Sequence, residues 1–234
     1  MRCMKMIGLC LVTTFAIGGL AATAASAEPE FLHAGKEVLN KGFVVKSKAS
    51  GAVLVELGET KFKILCTSRT STGRIKGKTE VDNVVAKFKG CRAKEAEEAL
   101  ECEVNSTSPL GGKEEVITKT LKGRVGLVAS AEATSERGLL LLPNVGTVYV
   151  TLRGSTECLP AETSEVKGSL IGEIKPVHTL KLKGEVIYKT KEQKTQLIKK
   201  FIGESAMHEL EIFEVKAPLE AADTIEYEES VEIT

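Results

Sequence analysis

The feature that most constrains this chain is a strict alternation of apolar and polar side chains in short runs set off by glycine. It is plainest between Thr60 and Cys91. Phe62, Ile64 and Cys66 share one face of the run Lys61–Thr67, with Lys61 and Lys63 on the other. Val84, Ala86 and Phe88 repeat the pattern in Val84–Lys89, against Lys87 and Lys89. Period two is the repeat of a half-buried strand, whose side chains point to opposite faces in turn. The glycine-punctuated segment Thr72-Gly73-Arg74-Ile75-Lys76-Gly77 between the runs reads as a hairpin.

The same habit runs through the chain. Phe43–Lys48 and Ala52–Leu57 flank a turn at Ala49-Ser50-Gly51, and Val116–Leu121 and Arg124–Val128 break at Gly123. Leu139–Leu142 closes on Pro143-Asn144, followed by a strand lined by Val148, Val150 and Leu152. Val166, Leu170 and Ile174 share one face of a strand interrupted by Gly168 and Gly172. Leu180, Leu182, Val186 and Tyr188 alternate with Lys181, Lys183 and Glu185, and Thr224–Ile233 reads as an acidic strand. Asn105–Lys113 reads as a loop, and Ala93–Leu100 alone looks helical. Short strands at such spacings predict an all-β antiparallel sandwich or barrel-like fold with short loops and at most one short helix. The expected division is a signal segment at 1–27, a lead-in at 28–41 and a single β-rich domain at 42–234.

The address comes from the first 27 residues. Arg2 and Lys5 precede the apolar run Met6–Leu20, and Ala25-Ser26-Ala27 is a small-x-small cleavage signal. A cleaved secretory peptide is the expectation, with no transmembrane span left afterwards. Cys3 and Cys10 leave with it, and Cys66, Cys91, Cys102 and Cys158 remain. Four cysteines in an oxidising compartment imply two disulfides, with three possible pairings. Cys91 and Cys102 bound one short Glu/Ala-rich loop, so the expected bonds are Cys91–Cys102 and Cys66–Cys158. The remaining chain has two acids in excess, which gives no reason to expect nucleic acid.

Apolar-basic-glycine triplets recur at Ile75-Lys76-Gly77, Phe88-Lys89-Gly90, Leu121-Lys122-Gly123, Leu152-Arg153-Gly154, Val166-Lys167-Gly168 and Leu182-Lys183-Gly184. The expected role is structural: an inward apolar side chain, an outward cation, then a glycine where the strand ends or bulges. The sharper alternative makes Lys76, Lys89, Lys122, Arg153, Lys167 and Lys183 an anion-binding stripe for wall or lipid polymers. The basic stretch Lys175–Lys200 and the acidic stretch Glu220–Glu232 read as strand faces paired across a sheet.

Catalytic motifs are missing. Gly168-Ser169-Leu170-Ile171-Gly172 is not the G-x-S-x-G elbow, and Ser169 reads as a surface serine. His208 falls on the apolar side of its run and reads as a core histidine. No H-E-x-x-H, paired C-x-x-C or calcium loop occurs, so neither metal nor cofactor is expected. Glutamates are abundant but expected on outward positions, and the scarcity of aromatics argues against a sugar-stacking site.

One ordered set of motifs carries a resemblance. It comprises Pro29-Glu30-Phe31, Lys63-Ile64-Leu65-Cys66-Thr67, Thr72-Gly73-Arg74-Ile75, Val85–Cys91, Val116-Ile117-Thr118, Leu121–Gly126 and Val166–Val177. In this order they resemble a paralogous family of uncharacterised secreted proteins from high-GC Gram-positive soil bacteria. The resemblance implies secretion, a β-rich fold and the four cysteines, and transfers no catalytic residue. The resulting expectation is a non-enzymatic domain, secreted or attached to a bacterial cell envelope, with a structural, adhesive or binding role and a wall or envelope component as partner. The alternatives are a secreted hydrolase with a dispersed Glu-based site and a carrier of an apolar ligand.

Overall fold

The computed structural model describes residues 28–47, 52–57, 62–95, 101–107, 112–128, 136–154, 163–192 and 194–234. Residues 1–27, expected to be a signal segment, Cys158 and the expected turn at 49–51 lie outside them. Eight strands form the body: β1 (Lys41–Ser47), β2 (Ser68–Ile75), β3 (Glu80–Lys89), β4 (Leu121–Leu127), β5 (Arg137–Pro143), β6 (Leu170–Lys175), β7 (Lys181–Tyr188) and β8 (Leu219–Ile233). Each pairs antiparallel with its neighbour in sequence, and β8 also pairs with β1. The result is a closed up-and-down barrel. There is no helix among the described residues, so none long and apolar enough to cross a membrane.

The order of the strands decides where everything else sits. Strands β1, β3, β5 and β7 run the same way, so the four connections that follow them all leave from one end, called upper here. Those connections carry the accessory strands. Ala52–Leu57, Phe62–Cys66, Arg92–Glu95 and Glu101–Glu103 extend a sheet from the first residues of β8. Asn105–Ser106, Val148–Arg153, Thr163–Gly168, Leu210–Ile212 and Val215–Lys216 make a second sheet. The lower end holds the turns 76–79 and 176–180, and Phe31–His33 pairs there with the end of β8. The lead-in is therefore part of the fold, with Phe31 and Val38 fully buried.

Inside the barrel the side chains fill the space. Phe43, Val45, Ile75, Val81, Leu139, Ile174, Val186 and Ile225 come from seven strands and belong to one continuous core that reaches between the accessory sheets. The upper part encloses an ion pair, Arg69 of β2 with Asp223 of β8, which are 5% and 0% exposed. The Arg69 guanidinium also lies over the rings of Phe88, at 5.5 Å, and Tyr188, at 5.1 Å. Burial pulls this guanidinium down from its ordinary value, opposed by Tyr188 and Tyr149, yet an arginine keeps its proton in a protein. Burial likewise pushes the phenols of Tyr149 and Tyr188 up, so both stay neutral. Two voids lie in the described part of the interior, one of about 20 Å³ beside the ion pair and one of about 10 Å³ beside Tyr227. Each is about the size of one water.

Several sequence expectations change. The Thr72–Gly77 hairpin is instead a strand through Ile75 with its turn at 76–79. Ala93 and Lys94 lie in an extended strand, not a helix, and 96–100 fall outside the described residues. Asn105–Ser106 is a short strand rather than loop. Val166–Ile174 is two strands in different sheets, divided at Gly168, whose φ of 107° a side chain would strain. Leu182 is 57% exposed, because a register shift between Lys181 and Lys183 turns it outward.

The disulfide pairing is also corrected. Cys66 is bonded to Cys91, which excludes both expected bonds. The reason is hairpin register: Ser68 faces Lys89 across β2–β3, and continuing outward by two residues sets Cys66 opposite Cys91. Spacing along the chain had favoured the nearer cysteine; pairing across the sheet overrides it. Cys102 is disulfide-bonded as well.

Two outcomes follow from this packing. Mapping of unreduced peptides should recover Cys66 linked to Cys91 and, by elimination, Cys102 linked to Cys158; a Cys91–Cys102 peptide would contradict the hairpin register. Asp223→Ala, which strands Arg69 in the core, should destabilise the fold by about 3–5 kcal/mol in urea melts. Arg69→Met with Asp223→Leu should lose much less, and equal losses would mean the charge pairing is not what matters.

Candidate functional site

The connection from β7 to β8 builds the most structured feature of the outer wall. After the small hairpin 190–196, residues 198–209 run down the outside of the barrel and back, forming a strap. Phe201 makes a bridge with Val128, and the Ile202 N–H donates to Leu127 O at 2.8 Å. Ile198 and Phe201 pack on Val128, Leu140 and Ile171 in a second hydrophobic cluster separate from the main core. Glycines make that seat. A Cβ on Gly126 would come within 2.7 Å of the Phe201 ring, and one on Gly138 within 2.8 Å of Ile171. Arg124 covers the outer side of the same ring at 4.7 Å.

Polar contacts clamp the strap. Arg124 of β4 pairs with Glu204. The Ser169 hydroxyl and His208 Nδ1 are 2.8 Å apart, and His208 Nε2 is 3.5 Å from Glu204 Oε2. Burial, and then the Arg124 charge, hold the His208 ring below the usual histidine range. Serine, histidine and acid in a row invite a hydrolase reading, but the two backbone donors at the serine are already engaged. The N–H groups of Gly168 and Ser169 already donate to Thr147 O and Glu209 O. They are not available to hold an oxyanion, which acyl transfer requires. The trio works as a fastener between the strap and the barrel, so Ser169 is not the free surface serine its position in the sequence implied.

Between the strap and strands β3 and β4 lies a groove of about 880 Å³. Its floor includes Gly123, Leu140 and Leu142, and its walls carry Lys76, Glu80, Asp82, Lys122, Arg124 and Glu204. Gly123 is required there, because any side chain would collide with the Leu140 carbonyl. The three carboxylates are each answered. Asp82 takes two bonds from Arg74, at 3.1 and 3.2 Å, Glu80 is 3.8 Å from Lys76, and Glu204 holds Arg124.

Of the six cations singled out in the sequence, Lys76 and Lys122 meet in this groove. The others stand on separate strands. Lys89 lies 4.0 Å from Glu115, Lys167 3.2 Å from Glu165 and Lys183 3.0 Å from Glu226. Arg153 is exposed at the end of its strand. The glycine triplets do end or bulge strands, and the apolar member is buried in all but the Leu182 triplet. Sequence reasoning missed Arg124, Glu204 and the strap itself. The one available signal was the apolar Ile198, Phe201 and Ile202 in a lysine-rich stretch. Among the described residues no group of three or more His, Cys, Asp or Glu side chains is placed to hold a metal ion. No protein-family model, curated protein or solved structure matches the chain.

The clamp should make the strap sensitive to acid. Folding holds His208 neutral, so its contribution is whole above the ordinary histidine value of about 6.5 and declines as pH falls below it. The groups facing it are Ser169, Arg124 and Glu204, with the Phe201 ring 6.4 Å away. Hydrogen exchange at the Ile202 and His208 amides, corrected for intrinsic rates, should open more readily at pH 5.5 than at pH 7.5. His208→Gln should abolish the difference; a difference that survives would place the titration elsewhere.

Proposed function

We propose that this protein is a non-enzymatic binding domain, secreted by a bacterium, that attaches to a cell-envelope component through its outer wall. The observation that carries the reading is the contrast between a filled barrel interior and a preformed external groove. An eight-stranded barrel either packs its interior with side chains or keeps a cavity for one small ligand. The voids of about 20 and 10 Å³ fit the first case, which weighs against the apolar carrier. The groove's carboxylates are held in ion pairs, which weighs against acid–base work. The sequence-level signal segment and the disulfides are consistent with an oxidising, extracellular setting.

The test is retention against turnover. Purified protein incubated with washed bacterial envelopes should sediment with them, and the supernatant should gain no reducing ends, free phosphate or fatty acid. Release of such products, abolished by His208→Ala or Ser169→Ala, would make it an enzyme. Failure to sediment with any envelope fraction would remove the binding role.

A further inference from the structure

The polar groups of the groove are unequally committed. Arg74, Lys76 and Arg124 answer Asp82, Glu80 and Glu204 one for one. Lys122 is left over, exposed on the outer face of β4 with no carboxylate partner among the described residues. Asn83, Asn144 and Ser205 also line the groove, and their side chains hold no hydrogen bond to another described residue. What the groove offers is therefore one free ammonium, two free carboxamides and a hydroxyl.

From this set we infer that the groove binds an acidic polyol chain of low charge density, a polysaccharide with an anionic group on every second unit or fewer. The inference deepens the envelope-binding reading and rests on it. Lys122 takes the anionic group. Asn83, Asn144 and Ser205 take hydroxyls, for which a carboxamide that both donates and accepts is well suited. The other three cations are spent on carboxylates, so only Lys122 can answer an added anion, and a chain with an anion on every unit leaves most of its charges unanswered where a sparsely charged one does not. The groove lining holds no Phe, Tyr or Trp, and its one ring, His208, is largely buried against Ser169 and Glu204, so no open aromatic platform meets the flat face of a neutral sugar. The barrel wall and the clamped strap position the backbone that carries these groups.

The experiment compares three octasaccharides by calorimetry at low salt with the full protein: hyaluronan, with one carboxylate per two sugars; heparin, with several charges per two sugars; and dextran, with none. Hyaluronan should bind best. Lys122→Glu should weaken it at least tenfold, and Asn144→Ala should weaken it while circular dichroism stays unchanged. Lys167→Glu, on another sheet, should have no effect. Dextran binding as well as hyaluronan would overturn the role of Lys122. Heparin binding best, with Lys167→Glu as harmful as Lys122→Glu, would reduce the interaction to unspecific charge attraction. If no probe binds while the protein still sediments with envelopes, the inference falls and the binding reading stands. If both fail, both fall.

Discussion

Strand β8 is hydrogen-bonded on both sides, to β7 along Ala221–Glu226 and to β1 along Asp223–Tyr227, and the rest of the molecule depends on that double pairing. It closes the barrel and removes the open edges that a sheet of this size would expose. The contacts it makes are distant in sequence, since β1 and β8 stand at opposite ends of the domain. Closing so long a loop is costly in entropy, and side chains on both faces of β8 offset it. On the inner face Asp223 meets Arg69. On the outer face Glu226 accepts from Lys46 at 2.8 Å and Lys183 at 3.0 Å, one from each neighbouring strand. Those two bonds, Lys46 first, hold the Glu226 carboxyl below the usual carboxylate range.

Closure also sorts the molecule into regions with different tasks. An up-and-down order sends the connections after β1, β3, β5 and β7 to one end, and because this chain carries its accessory strands in those connections, the accessory sheets gather there. The interior is filled with apolar side chains around one ion pair. A buried ion pair is poor evidence of net stability, because desolvating two charges consumes much of what their attraction returns. Its firm consequence here is spatial, since it occupies the upper interior of the barrel. The larger space lies outside, where the strap and β3–β4 form a groove.

That groove owes its shape to small residues as much as to charged ones. Gly126 and Gly138 let Phe201 lie against the wall, and Gly123 lets two backbones approach under the groove floor. Phe201 anchors the strap, and Arg124 ties it down while forming part of the groove wall. Groove and strap are thus built from the same contacts, so loosening the strap alters the groove.

The local pattern of Phe62, Ile64, Val84, Ala86 and Phe88 was enough to establish an all-β chain, since alternation is a property of neighbouring residues. The facing of Lys183 with Glu226 was likewise legible from opposite charge runs. Other features were not, because they depend on which strands lie side by side. Cys66 finds Cys91 through hairpin register, and Val166 and Leu170 part company at a backbone bend. His208 meets Ser169 across 39 residues of chain and Arg124 across 84. The sequence by itself determined the strands, their inward faces and their glycine-marked ends, because those follow from side-chain period and backbone sterics. Only the tertiary structure decided that the strands close into a barrel, that its interior is full and that a strap shapes a groove outside. Those outcomes are set by long-range pairing, in which partners are chosen by the geometry of the whole sheet and not by their distance along the chain.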